Sequence, residues 1–249
     1  MGLFGLFGSK EEREQSALRK LAKRVTERYG PPENRQKAIE QLGNMGSPGA
    51  LSTLCLRFTA NAEPGITDQE EKETALGILV DARERAVEPV AAFVREQEDG
   101  IAWGLRVLAS IAPEEKVLEV VVGELAHLGK IYTRDPEKKL VLLTWLREHH
   151  AGAKSADVEA ALLPLLEDFS DDVRITATRA LVAVAPGEKA REALIQLLLR
   201  DRDNARVRGE VLEALAALGA DVKGHRPSVE ALLVEPFFLD REGRVKKRG

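Results

Sequence analysis

Cys55 is the chain's single cysteine, which excludes an internal disulfide and a thiolate metal cluster and fits a reducing compartment. Aromatic residues make up only 4% of the 249 positions, so an aromatic-rich β-core is not available. Hydrophobic residues still reach 44%. The core must therefore come mainly from Leu, Val and Ala, which pack closely spaced helices. No apolar run approaches the ~20 residues that span a bilayer; one of the longest, Leu140 to Leu146, already contains Thr144. An excess of positive charge is also missing. Thirty-seven basic against 41 acidic residues give a net charge of −4, which does not carry the footprint of a nucleic-acid binder. There is no phosphate-cradling glycine loop and no His-Glu-x-x-His. The histidines, His127, His149, His150 and His225, fall in or near expected helix ends, where they interact with the helix C-terminus. Adjacent His149 and His150 point about 100° apart on a helix and do not share one metal. The expectation is no catalytic residue, no metal, no cofactor and no small-molecule substrate.

What the chain does have is a recurring helical signature: a basic residue, a small or apolar residue three positions on, and a leucine four beyond that. It appears as Arg35, Ala38, Leu42; Lys72, Ala75, Leu79; Lys139, Leu142, Leu146; Arg174, Ala177, Leu181; and Arg208, Val211, Leu215. A degenerate copy, Ala102, Leu105, Ala109, fills the gap. The anchors are 37, 30, 37, 35 and 34 residues apart, a period that belongs to helical-hairpin repeats.

Punctuation agrees. Ser47-Pro48-Gly49, Ala112-Pro113-Glu114 and Ala185-Pro186-Gly187 place proline where a new helix starts and its missing N–H costs nothing. Asp135-Pro136-Glu137, Thr67 with Glu70, and Ser170-Asp171-Asp172 read as N-terminal caps. Leu42-Gly43, Leu128-Gly129 and Leu218-Gly219 read as stops. The helix pairs are expected at 31–60, 67–97, 99–128, 136–168, 171–201 and 203–235.

The stretch from Asp168 to Leu181, with Asp171-Asp172-Val173-Arg174 and Ala180-Leu181, and the stretch Val207-Arg208 to Ala214-Leu215 resemble the HEAT-type repeat of the short bacterial class. That resemblance implies an all-α, right-handed solenoid of about six helix pairs whose second helices line a concave face. It also implies a scaffold that binds a protein partner. Alkylpurine DNA glycosylases share such repeats and use a tryptophan and an aspartate one helical turn apart in a basic groove. Here Val107 follows Trp103 and His149 follows Trp145 at that spacing, so the carboxylate is absent; bilin lyases share only the repeat. An enzyme or a nucleic-acid binder on this scaffold is the alternative. The reading adopted is a non-enzymatic, cytoplasmic, bacterial scaffold, with Trp103 and Trp145 as core or groove-wall residues.

The ends differ from the repeats. Residues 9–29 form an amphipathic helix with Ser9 and Glu12 as a capping box and Leu18, Leu21, Ala22, Val25 and Tyr29 on one stripe, a cap for the array over 9–30. Residues 236–249 read as two short extended runs followed by the basic cluster Arg244, Lys246, Lys247, Arg248. The first eight residues place Leu3, Phe4, Leu6 and Phe7 together. They lack the charge of a secretory signal, and Leu6 stands where myristoylation needs Ser or Thr. Two readings stay open: the segment folds back on the first helix pair, or it docks on a partner or membrane surface. The candidate partner-binding residues are Leu3, Phe4, Leu6, Phe7, Arg57, Arg95 and Arg200.

Overall fold

A computed structural model describes residues 10–149, 155–184 and 187–248. The apolar segment with Leu3, Phe4, Leu6 and Phe7, the cap residue Ser9, His150 and Pro186 lie outside the described residues. The chain forms two compact units, one ending at Pro113 and one beginning at Glu114.

The first unit contains α1 (Lys10–Val25), α2 (Pro32–Met45), α3 (Pro48–Cys55) extended by a 3-10 turn (Leu56–Thr59), α4 (Gly65–Ala82), α5 (Glu84–Glu96) and α6 (Ile101–Ile111). First helices stack on first helices, α2 on α4 and α4 on α6, while α3 stacks on α5; α1 covers α2 and α3. Ala38, Leu42, Ala75 and Leu79 of the signature are fully buried. Ser47 caps α3 by accepting a hydrogen bond from the amide of Ala50.

The second unit contains α7 (Glu114–Leu128), α8 (Glu137–Glu148), α9 (Ser155–Leu162) extended by a 3-10 turn (Leu163–Glu167), α10 (Asp171–Val184), α11 (Glu188–Arg200), α12 (Ala205–Ala217) and α13 (Arg226–Glu230). The antiparallel pair β1 (Phe237–Leu239) and β2 (Val245–Lys247) closes it. Helix α10 sits between α8 and α12, and α9 packs on α7. Among the described residues the fold is all-α and solenoid-like, with one small hairpin.

Several local expectations change. Helix α2 runs through Gly43, which packs on Ile78, and stops at Gly46 in the left-handed conformation. Helix α4 begins at Gly65, so Thr67 lies inside its first turn. The degenerate signature is out of register by about one residue: Ala102 and Ala109 are exposed, while Ile101, Leu105 and Leu108 are buried. Helix α1 ends at Val25, leaving Tyr29 88% exposed. In the sixth pair the second helix shrinks to α13, because Gly219 and Gly224 take positive φ values and residues 220–222 bond to the hairpin strand.

Candidate functional site

The repeating cation of the signature forms a structural ladder. Arg35, on α2, is fully buried; its Nε donates to Glu71 Oε2 at 2.8 Å and its Nη1 to the carbonyls of Gly30 and Glu27 at 2.7 and 3.2 Å. Lys72 Nζ reaches Asp68 Oδ2 and Asn61 Oδ1, each at 2.8 Å. In the second unit Lys139 Nζ bonds Asp168 Oδ2 at 2.6 Å and the carbonyl of Ile131 at 3.2 Å. Arg174 donates to the carbonyls of Asp168 and Phe169 at 2.6 and 3.2 Å and pairs with Asp171 and Asp201. Arg208 donates to the carbonyl of Arg202 at 2.6 Å. Four of these five cations grip a backbone carbonyl of the loop preceding their own helix, and an acid in the same or the next repeat neutralises most of them.

Arg57 belongs to the first rung rather than to a groove. It lies in the 3-10 turn after α3, on the face that α3 buries, and is fully buried. It donates to Glu71 Oε2 at 3.0 Å and to the carbonyl of Ala60 at 2.9 Å, and it pairs with Asp68. No partner can reach it, which corrects its assignment as a partner-binding residue. Burial opposes charge on the Asp68 carboxyl, yet hydrogen bonds from Lys72, the Ala62 amide and Arg57 together hold it below the usual carboxylate range. Burial pushes the Cys55 thiol up to about 12.

An open groove lies in the second unit, where the 3-10 turn after α9 meets α11. It is a groove of about 540 Å³ lined by Leu163, Leu166, Ala193 and Leu197 with a charged rim that includes Glu167, Lys189, Glu192 and Arg200. Pro164, at the start of the 3-10 turn, ends the α-helical bonding of α9 and tips Leu163 and Leu166 toward α11. Two arginines of the rim are already tied. Arg200 donates to the carbonyl of Leu166 at 2.7 Å and pairs with Asp201, and Arg191 pairs with Asp221 at 2.9 Å. A hydrogen bond from Gln196 holds the Glu192 carboxyl below its ordinary value against some desolvation, with help from His225 and Arg191. Arg200 thus borders the groove, while Arg95 is exposed on α5. The groove floor carries no sequence signal of its own: its leucines continue the buried stripes of two second helices.

A second groove of about 440 Å³ runs between α2 and α4, lined by Gly43, Leu51, Ile78 and Ala82 with Glu40, Asp81 and Arg85 at its margin. Trp103 is half-buried, stacked on Phe58 at 5.5 Å beneath the Arg106 guanidinium. Trp145 stacks on His149 at 4.4 Å. Among the described residues no cluster of His, Cys, Asp or Glu is arranged to hold a metal ion. No described helix is long and apolar enough to cross a membrane.

The family model for HEAT repeats matches residues 158–236. That stretch, about a third of the chain, is thus similar to HEAT repeats, in line with the helical-repeat reading. No curated protein matches it. Among solved structures, human deoxyhypusine hydroxylase in complex with glycerol aligns at 18% identity with a TM-score of 0.34, covering 89% of this chain and 90% of that chain. Beside this alignment with an enzyme the non-enzymatic expectation is withdrawn. At this level of likeness it transfers no activity to the present chain.

Proposed function

We propose that the chain is a helical-repeat scaffold that takes a segment of a protein partner in the groove between the 3-10 turn of α9 and α11. The carrying observation is an apolar floor whose bordering arginines, Arg191 and Arg200, are already paired. Such a surface gains from covering Leu163, Leu166, Ala193 and Leu197 without stripping water from an isolated ion. Arg200 and the exposed Arg95 are the basic residues assigned to contact. Leu3, Phe4, Leu6 and Phe7 form a second contact element, a hook for protein or for a membrane interface. A bacterial cytoplasm is the setting that the buried Cys55 and the short repeat type support. The net charge of −4 weighs against nucleic acid as the partner.

The test is site-specific photocrosslinking in the native host, with a benzophenone side chain at Gln196 on the groove rim and, as control, at exposed Glu119 on α7. A discrete adduct from 196 that disappears in Ala193→Arg supports the reading. Adducts from 119 alone, or none from 196, would overturn it.

A further inference from the structure

The arginines of the ladder divide their nitrogens in one way. Nη1 of Arg35, Arg57 and Arg174 donates to loop carbonyls, those of Glu27 and Gly30, of Ala60, and of Asp168 and Phe169. The opposite edge of each guanidinium takes carboxylates. Nε of Arg35 and of Arg57 donates to Glu71, at 2.8 and 3.0 Å, and Nη2 of Arg57 donates to Asp68. Nε of Arg174 stands 2.8 Å from Asp201 Oδ2, while its Nη2 donates to Asp171. Arg208 repeats only the first half of this pattern. Its Nη1 holds the carbonyl of Arg202 at 2.6 Å, six residues before it, as Asp168 is six before Arg174. Its Nε is buried without a hydrogen-bond partner, and among the described residues no carboxylate meets its Nη2, which is not enclosed. The sequence accounts for the gap. Asp171 and Asp201 stand three residues before and 27 after Arg174, and the matching positions around Arg208 hold Ala205 and Glu235. Ala205 has no charge to offer, and Glu235 is 92% exposed and pairs with Arg248 at 3.6 Å. No full repeat follows α12. The hairpin is tied to Glu213 through Lys247 and to residues 220–222, in and beyond the half of α12 that lies away from Arg208. The start of α12 is open: Ala205 and Arg206 are exposed, and a Cβ built on Gly209 would meet no neighbouring atom within 4 Å.

We infer that Arg208 is an anchor for an Asp or Glu side chain on an acidic loop of a protein partner, which takes the place that the loop of the following repeat has at Arg174. The site is separate from the α9–α11 groove. Three observations choose this occupant. An open Nε–Nη2 edge matches the two oxygens of a carboxylate in a planar fork. The three filled arginine rungs define which group that edge accepts in this protein. The cation is already half-buried with no counter-charge, so a carboxylate offsets a desolvation cost that the fold bears without it, and a neutral or basic segment brings no such gain. The neighbouring cations are occupied. Arg202 pairs with Asp203 and Arg206 with Asp172, which confines the attraction to Arg208 and does not offer the row of free cations that a nucleic-acid backbone uses.

The experiment uses the full chain and a rhodamine-labelled peptide of three Gly-Asp-Ser repeats, read by anisotropy, with Gly-Asn-Ser repeats as the control. The acidic peptide is expected to bind and to move the Arg208 Nε–H signal downfield in nitrogen-proton spectra, while the Arg35 and Arg57 signals stay in place. Arg208→Gln is expected to weaken binding at least ~10-fold, about 1.4 kcal/mol, and Arg206→Gln to change it little. Ala205→Asp supplies in the same chain the acid that Asp171 gives to Arg174. This variant is expected to fold as wild type by circular dichroism, to raise the urea midpoint and to block the peptide, which keeps the inference testable even where Arg208→Gln fails to fold. Ala193→Arg, which blocks the other groove, is expected to leave binding unchanged, so the two proposals fail separately. Absence of binding, equal binding of the asparagine peptide, equal weakening by the two glutamine variants, full binding by Ala205→Asp, or displacement of the peptide by a single-stranded oligonucleotide at lower concentration than by unlabelled peptide would overturn the inference.

Discussion

Truncating Arg57 tests whether the first rung is a structural core. Arg57→Ala removes a guanidinium that contacts Glu71, Asp68 and the carbonyl of Ala60. Glu71 keeps only Arg35, at 2.8 Å, and Asp68 keeps Lys72 and the Ala62 amide. Breaking a buried pair by removing one partner leaves a charge that water cannot reach, at a cost of about 3–5 kcal/mol. By contrast Arg106 and Glu73, paired at 3.3 Å with side chains about half exposed, are worth about 0–1 kcal/mol. In a Trp145→Phe background the fluorescence of Trp103, stacked on Phe58 beside Arg57, reports the first unit alone. Urea denaturation is expected to show the large loss for Arg57→Ala and a small one for Arg106→Ala. A loss under ~1 kcal/mol for Arg57→Ala would refute the buried-rung argument. The same rung sets an acid limit. Asp68 has a depressed folded value, so its contribution is present above its unfolded value of about 3.9 and is lost as pH falls through the lower folded value. Asp68→Asn is expected to be less stable at neutral pH, with a flatter acid limb.

Leu181→Ala and Leu215→Ala, both fully buried between stacked first helices, are expected to cost about 2–5 kcal/mol each in chemical denaturation, and losses under ~1 kcal/mol would place them off the core. Cys55, with its thiol pushed up to about 12, is expected to resist iodoacetamide in the native protein and to react only as fast as the first unit opens; alkylation at the rate of a free thiol would contradict its burial. Deleting residues 2–8 is expected to leave helical content and melting nearly unchanged while weakening partner or vesicle association. A large drop in melting temperature would make that segment part of the fold.

The repeat itself was legible because its signature is a packing requirement: Ala38, Leu42, Ala177 and Leu181 face neighbouring helices at the spacing of one helical face. The cation at its head was visible as a pattern, but its purpose was not, since the loop carbonyls it bonds are contributed by backbone of any sequence. The register slipped at Ala102, the one anchor without a cation. Arg57 was misplaced because its charge reads as surface, although it stands three and seven residues after the buried Leu54 and Ala50, on the buried face of α3. The groove of the second unit was hidden because Leu163 and Leu166 continue the apolar stripe of a second helix, and their spacing does not separate groove lining from core.

The ladder also explains how exposed apolar side chains are tolerated. A loop whose carbonyls are bonded by a buried arginine or lysine has its backbone path fixed by the core, so the side chain at its tip is released from any part in holding the fold. Arg suits this task where two carbonyls and an acid must be met at once, as at positions 35 and 174, because its planar fork carries donors in several directions. Lys suffices at 139, where one carbonyl and one carboxylate converge. Stability and presentation are thereby assigned to different residues of the same rung: the cation to the first, and Tyr29, Tyr132 or Phe169 to the second. A surface built in this way varies its tip residues without disturbing the stack beneath them, which is the property a repeat protein needs if its edge, and not only its groove, makes contact with partners.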